Sequence, residues 1–287
     1  MKCPYRRPSP WSAATGAAMR LIAILTLVLG LALPAMADEA GLRSLETGDD
    51  SRGWNAVGKL LLGDRGFCTG VLIRPDLVLT AAHCLFEKDS GSRIEPDRVE
   101  FLAGWRNGRA AAYRHVRRAV VHPDYAYSGQ DPVDRVAFDL AVLELDQPIR
   151  LPSVQPFGID RGTLSGDRVG VVSYAQGRSE APSLQEICRV IGRMPGTLVL
   201  SCSVDFGSSG APVFTMREGA PRLVSVVSAK AELHGRPIAL GTDIEDPLED
   251  VLAEFDRGDG LIRRVQPLVR MERAGSGGAK FVRPETP

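Results

Sequence analysis

The stretch Asp205-Phe206-Gly207-Ser208-Ser209-Gly210-Ala211-Pro212 is the part of the sequence from which the rest of the chain is best interpreted. Glycines on both sides of the two serines permit a tight turn, because glycine accepts backbone angles that other residues resist. A serine hydroxyl exposed on such a turn can act as a nucleophile if backbone amides face the atom it attacks. Turns rich in glycine and serine are also common without any catalytic role, so residues elsewhere must decide.

Two upstream stretches supply the groups that a nucleophilic serine needs. They are Leu79-Thr80-Ala81-Ala82-His83-Cys84 and Phe138-Asp139-Leu140-Ala141-Val142-Leu143. An imidazole accepts and returns a proton near neutral pH. A carboxylate entering an apolar strand is costly to bury without a partner, and the imidazole is the expected partner. A single histidine is more often structural, so the prediction depends on the order His, Asp, Ser.

These motifs resemble the trypsin-like serine proteases of the chymotrypsin fold, over about residues 54 to 245. T-A-A-H-C is a specific match and D-L-A a moderate one, whereas G-S-S-G-A-P is a variant of the family's G-D-S-G-G-P. The resemblance implies that His83 is the general base, that Asp139 orients it, and that Ser209 is the nucleophile. The oxyanion hole would then be formed by the amides of Gly207 and Ser209. Ser208, at the position of the family's aspartate, is the alternative nucleophile.

The same resemblance assigns two further serines. Ser228 matches the serine whose hydroxyl supports the triad aspartate, and its strand would bind an extended substrate; otherwise it is an ordinary strand residue. Ser203 would lie at the base of the P1 pocket, where it is neutral and would not select Lys or Arg. The serine motif is closest to that of bacterial exported glutamyl endopeptidases, but Val227 replaces the histidine of that family. Lys230 would either favour an acidic P1 residue in the substrate or simply be solvated at the surface.

Composition and the amino terminus place the protein outside the cytoplasm. Charge is balanced, with 35 basic and 35 acidic residues, so nothing points to nucleic acid. An uncharged run, Leu21 to Leu33, follows Arg20 and precedes an A-x-A site, which predicts an exported protein whose mature chain begins at Asp38. The true start is possibly Met19, and a buried helix is the alternative to a leader. We expect a periplasmic or secreted monomer that needs no membrane after cleavage.

Four of the five cysteines lie in the predicted mature chain. The family resemblance pairs Cys68 with Cys84 around the histidine, which leaves Cys188 and Cys202 for each other. Such bridges agree with export. Four free thiols or a metal site are the alternatives, but no CxxC spacing is present and histidine is scarce, so no metal or other cofactor is expected.

Short apolar runs separated by Gly, Pro and Asp predict an all-β protein, as either barrels or a sandwich. The predicted strands include Leu77–Thr80, Val99–Ala103, Ala112–Val121 and Ile187–Gly192. The family resemblance implies two antiparallel six-stranded β-barrels with the active site in the cleft between them and a short C-terminal helix. The helix is expected after Asp246-Pro247, and Gln147 to Gly166 is the natural linker. The expected segments are a leader (1–37), a loose lead-in (38–53), a first barrel (54–155), a second barrel with the helix (156–257), and a tail (258–287) that is either disordered or a binding element.

The sequence therefore predicts an exported serine endopeptidase that cleaves a polypeptide substrate through an acyl-enzyme. A catalytically silent binding protein of the same fold is one alternative, although decoys usually lose a triad member. An α/β-hydrolase esterase is another, but that fold needs a histidine late in the chain, where only His234 follows Ser209.

Overall fold

The structure is a computed structural model and describes residues 41–127, 135–217 and 219–262. It is built almost entirely from antiparallel strands, as the alternating apolar and turn-forming segments predict. The first half contains β1 (Leu42–Ser44), β2 (Val57–Leu62), β3 (Phe67–Arg74), β4 (Leu77–Thr80), β5 (Val99–Ala103), β6 (Ala112–Val121) and β7 (Ala141–Leu145). The second half contains β8 (Arg168–Ala175), β9 (Arg178–Met194), β10 (Thr197–Leu200), β11 (Pro212–Arg217), β12 (Ala220–Leu233), β13 (Arg236–Asp243), helix α1 (Pro247–Asp256) and β14 (Leu261–Ile262).

Each half closes into a six-stranded barrel, which confirms the predicted fold class. In the first barrel the strand order is β6-β5-β2-β3-β4-β7, and β7 pairs back with β6. In the second the order is β9-β10-β13-β12-β11-β8, and β8 pairs back with β9. The apolar strand residues point inward. Because each of these six-stranded sheets closes on itself, none of its six strands is an unpaired edge. The sequence pattern alone left a sandwich open, and these two closing pairs exclude it.

The predicted strands match the structure closely in the first barrel and less well in the second. Leu77–Thr80, Val99–Ala103 and Ala112–Val121 have the predicted bounds. In contrast, the strand predicted at 187–192 is part of the much longer β9. The prediction was too short because the omitted stretch, although buried at 181–185, contains Pro182, Ser183 and Gln185, which interrupt the apolar pattern.

The two ends of the described part of the chain pair with opposite barrels. β1 pairs with β9 of the second barrel, and the next residue, Leu45, is completely buried. The sequence instead predicted a loose lead-in, because a single leucine among polar residues hardly changes the local composition. At the other end, α1 lies against β6 and β7, and β14 pairs with β6. The helix predicted after Asp246-Pro247 is therefore present, and it packs on the first barrel.

The segment predicted as a linker, from Gln147 to Gly166, joins the barrels and packs between them. Its Phe157 is largely buried and contacts Trp54 and Phe214, with ring centroids 5.8 and 4.6 Å away. Aromatic packing of this kind fixes how the barrels meet, and thereby the width of the cleft.

Two sequence predictions lie outside the described residues: the leader (1–37) and most of the tail (263–287). Within the described residues, every helix is too short or too polar to cross a bilayer.

Candidate active site

His83 lies on a short 3₁₀ turn, Ala82–Leu85, that follows β4 directly. A strand that ends in a tight turn holds the next side chain at the barrel rim, where it can face a cleft. The turn is tied to β3 by the pair Cys68–Cys84, whose Cα atoms are 6.3 Å apart. The imidazole therefore sits on a rigid support, with 23% of its side chain exposed.

Asp139 is buried beside His83 and bonded to it twice. One carboxylate oxygen accepts from the His83 backbone N–H at 2.8 Å, and the other lies 2.6 Å from His83 Nδ1. The hydroxyl of Ser228 donates to that second oxygen. A carboxylate that is 1% exposed needs such partners, because an unpaired buried charge is strongly unfavourable. The arrangement directs the Nδ1 proton to Asp139 and leaves Nε2 free to act as a base.

Ser209 lies at the rim of the second barrel on a turn bonded to both barrels. Its carbonyl accepts from the Thr69 N–H of β3 at 2.8 Å, and the next amide, from Gly210, donates to Val227 O at 2.8 Å. Gly210 has a φ of +76° and is pressed against Thr69 O and the Thr80 hydroxyl, so no side chain fits there. The glycine after the serine is thus required by close approach of the two barrels.

Gly207 and Ser209 line the same cavity. Gly207 has a φ of +94°, and its α-carbon packs against the Phe67 ring. Among the described residues, neither amide donates to a protein acceptor, in contrast to the amides of Ser208 and Gly210. An oxyanion hole requires two such backbone N–H groups, without protein acceptors, close to the serine hydroxyl.

His83 and Ser209 line the same two cavities, with volumes of about 430 and 580 Å³. In the described part of the chain the Ser209 hydroxyl makes no hydrogen bond to His83, whose Nε2 lies 3.9 Å from Cys84 Sγ. Such bonds are often long in the absence of substrate. Phe206, which is 59% exposed, also lines both cavities.

The smaller cavity lies against β12 and is lined by Val204, Val227, Ala229 and Lys230, among others. Ser203, which sequence reasoning placed at the base of the P1 pocket, is exposed and outside this lining, and its N–H donates to Gln185 Oε1 at 2.9 Å. Val204, one residue further along the chain, lines the cavity in its place.

A charged pair closes one side of this cavity. Lys230 Nζ lies 3.1 Å from Asp205 Oδ1 and 4.3 Å from the Phe206 ring centroid. The Phe206 backbone N–H and then Lys230 hold the pKa of the Asp205 carboxyl below its usual range. The lysine charge is therefore balanced by a carboxylate that stays ionised at neutral pH.

The remaining cysteines and histidines lie apart from the cleft. Cys188 and Cys202 are at disulfide distance, with Cα atoms 5.0 Å apart, in the wall of the second barrel. His122 is buried, with its ring centroid 5.0 Å from that of Phe138, whereas His115 and His234 are exposed. Cys68, His83 and Cys84 are close enough to suggest a metal site, but both sulfurs are bonded to each other, so the thiolates that a metal needs are absent.

Sequence reasoning missed Thr69, which is fully buried between the barrels. Its hydroxyl donates to Gly207 O at 2.9 Å and accepts from Tyr174 N at 3.1 Å. A threonine within a strand carries no sign of such a role, because both partners are distant in the chain.

Comparison with known proteins gives a family match, two relatives and a solved structure of the same fold. The family described as a trypsin-like peptidase domain matches residues 68–222. Over 89 residues the chain is 33% identical to the modular serine protease of Drosophila melanogaster, covering 30% of this chain and 14% of that protein. Over 95 residues it is 34% identical to granzyme M of Homo sapiens, covering 30% of this chain and 33% of granzyme M. The chain thus spans well under two thirds of both relatives.

A structure of a Glu endopeptidase in complex with MPD has the same fold, with a TM-score of 0.63 and 18% identity over 76% of this chain and 97% of that one. The family match extends from Cys68 past Ser209 and covers more than half of the chain. The chain therefore belongs to the family of trypsin-like peptidase domains.

Proposed function

We propose that the chain hydrolyses peptide bonds with Ser209 as nucleophile, His83 as general base and Asp139 as the group that orients His83. The observation that carries the proposal is the pair of hydrogen bonds between His83 and buried Asp139. His83 lines the same cavities as Ser209, whose turn is hydrogen-bonded to both barrels. The Nδ1 contact holds the tautomer in which Nε2 can take the Ser209 proton. The Ser228 hydroxyl keeps the carboxylate in place.

The reaction would proceed through an acyl-enzyme. Ser209 Oγ attacks the peptide carbonyl while His83 removes its proton, and the carbonyl oxygen becomes an oxyanion bound by the Gly207 and Ser209 amides. His83 then gives the proton to the leaving amine, and a water repeats the sequence to release the acid. No step calls for a metal or an organic cofactor.

We propose that the P1 side chain is uncharged. The wall nearest Ser209 is formed by Val204 and Val227, and the neighbouring Lys230 is already paired with Asp205. An acidic substrate side chain would have to displace this carboxylate, and a basic one would meet the lysine. This preference differs from the activity in the name of the Glu endopeptidase that shares the fold. A peptide-library cleavage profile tests it, and strong selection for Glu or Asp at P1 would refute it.

We also propose that the protein is exported, of the bacterial exported type with the G-S-S-G-A-P motif, and active without a new amino terminus. Export is supported by the leader-like segment and the two cysteine pairs. Trypsin-like zymogens mature by inserting an ammonium that pairs with the aspartate before the serine. Here that residue is Ser208, which cannot neutralise a buried charge. The preceding segment is also held in place, because β1 pairs with β9 and Leu45 is buried.

Labelling with a fluorophosphonate tests the proposed function. Residues 38–287 should be labelled at Ser209, and Ser209→Ala should lose both labelling and peptide hydrolysis, whereas Ser208→Ala keeps the nucleophile and should still be labelled. A verified N-terminal extension should leave labelling intact. Failure of the wild-type chain to react would favour a silent binding protein on the same fold.

A further inference from the structure

The β8–β9 hairpin ends beside the turn that carries Ser209. Its two-residue tip is Gln176-Gly177, and Gly177 alone of the two has a positive φ, of +78°. Glycine accepts this left-handed φ readily, and the Gln176 N–H at the tip is not used in the pairing of β8 with β9. The tip therefore has a donor to offer the neighbouring turn.

That donor determines the direction of one peptide group in the candidate oxyanion hole. The Gln176 N–H donates to Phe206 O at 2.7 Å. In a trans peptide the C=O and the following N–H point in opposite directions. Because Phe206 O is held toward the hairpin, the Gly207 N–H is directed away from it, and Gly207 lines the cavity that Ser209 also lines.

Arg178 makes a second connection from the same tip. Its guanidinium donates to Ser173 O at 3.1 Å and to Ser173 Oγ at 3.2 Å, and Nη2 lies 3.4 Å from Ser208 Oγ. Ser208 is fully buried, and its hydroxyl is 3.3 Å from that of Ser173. A polar cluster thus fills the space behind the residue that precedes Ser209.

Burying the Arg178 guanidinium in this cluster is energetically unfavourable, which indicates that the cluster has a structural role. Burial lowers the pKa of the Arg178 guanidinium, and Asp205 offsets this only in part. Among the described residues the guanidinium forms no ion pair, although a half-buried arginine is normally paired with a carboxylate. Its bonds go instead to the neutral groups that adjoin the Ser209 turn.

The hairpin itself is anchored to the first barrel. Lys59 Nζ donates to Ser179 O at 3.2 Å, and the Asn107 N–H donates to Glu180 O at 2.6 Å. Lys59 also lies 4.7 Å from the centroid of the Phe67 ring, which packs on Gly207. The tip is therefore held by bonds to both barrels, so it can restrict the movement of the turn that carries Ser209.

We propose that the hairpin tip, Gln176 to Arg178, is a positioning element that holds the Gly207 amide in its oxyanion-binding direction. Gln176 acts through its backbone N–H, and Arg178 acts through Ser208. The inference rests on the proposed function, because an oxyanion must form for the amide to bind. It assigns no contact with the substrate to either residue.

The first test removes the amide donor with Gln176→Pro. The chain already has Pro195 before Gly196, with φ +65°, between β9 and β10, so a hairpin of this protein accepts a proline before a glycine of positive φ. The hairpin should therefore fold, while Phe206 O loses its donor. Gln176→Ala keeps the N–H and measures the contribution of the side chain alone. The kcat of Gln176→Pro for a peptide ester should fall roughly 10- to 100-fold below that of Gln176→Ala, with KM within about threefold, because one oxyanion donor is misplaced.

The second test removes the Arg178 guanidinium. Arg178→Ala should lower the fluorophosphonate labelling rate by at least about 10-fold, and guanidinium ion at millimolar concentration should restore part of it. Arg189→Ala is the matched control, because Arg189 is an exposed arginine of the same strand that bonds to Gly166 O. Circular dichroism checks the fold, and if Arg178→Ala does not fold, Gln176→Pro decides alone.

Each outcome has a distinct meaning. Unlabelled wild-type protein would contradict the proposed function itself. Labelled wild type with a kcat for Gln176→Pro equal to that of Gln176→Ala would overturn the positioning role. A loss that appears in KM rather than in kcat would also overturn it, since it would indicate damage to substrate binding.

Discussion

Replacing Thr69 by valine should weaken the contact between the barrels and loosen the turn that carries Ser209. The two side chains have nearly the same shape, so the change removes the hydroxyl and little else. That hydroxyl donates to Gly207 O at 2.9 Å and accepts from Tyr174 N at 3.1 Å, at a site with no solvent exposure. Tyr174 lies where the pairing of β8 with β9 is irregular, between Ser173 and Ala175, so its N–H depends on this bond.

The magnitude follows from the two groups left without a partner. A buried donor or acceptor that loses its partner costs about 1–3 kcal/mol, so the loss of both bonds in Thr69→Val should lower the free energy of unfolding by about 2–6 kcal/mol. Because Gly207 O is one of the two groups, fluorophosphonate labelling should also slow by at least about 10-fold. Thr69→Ser keeps the hydroxyl and should cost only about 1 kcal/mol for the lost methyl group.

Urea unfolding followed by tryptophan fluorescence measures the stability change, and Thr197→Val provides the control. Thr197 is equally buried, but its hydroxyl has no partner within the described residues. The same chemical change there should be neutral or stabilising. Equal destabilisation by Thr69→Val and Thr197→Val would refute the reasoning, because it would show that the bridging bonds contribute nothing.

Three further predictions concern other parts of the molecule. Burial lowers the pKa of His122 from 6.5, so the unfolded chain takes up a proton first as pH falls through about 6.5, and stability declines there; His122→Gln should remove that part of the decline in urea midpoints measured between pH 7.5 and 5.5. Reduction of the Cys68–Cys84 pair, 16 residues apart in the chain, should cost roughly 3 kcal/mol, and recovery of four free thiols from protein made in the periplasm would contradict both pairs. Gly210→Ala should cost at least about 2 kcal/mol and abolish labelling, because alanine resists a φ of +76° and its methyl group would meet Thr69 O; an alanine variant that labels normally would show that the barrels can separate without loss of function.

The short-range features of this protein could be predicted from the sequence. Strands such as Leu77–Thr80 and Ala112–Val121 are bounded by turn-forming residues, and their apolar patterns depend only on neighbours in the chain. The helix after Pro247 is likewise a local pattern, with proline at its start. The predicted pairing of Asp139 with His83 came from the cost of a carboxylate beside an apolar run, and the two groups do meet.

The order of residues defines the kind of chain: antiparallel strands, a histidine and an aspartate next to strands, and a serine on a glycine-rich turn. Which distant groups share one site depends on how the two barrels pack. Thr69 reaches Gly207 across 138 positions, and the hairpin tip reaches Phe206 across about 30. Val204 replaces Ser203 in the cavity wall because barrel closure, rather than spacing from Ser209, sets which side chains face inward. Such contacts depend on how two closed barrels pack, and no local pattern records that geometry.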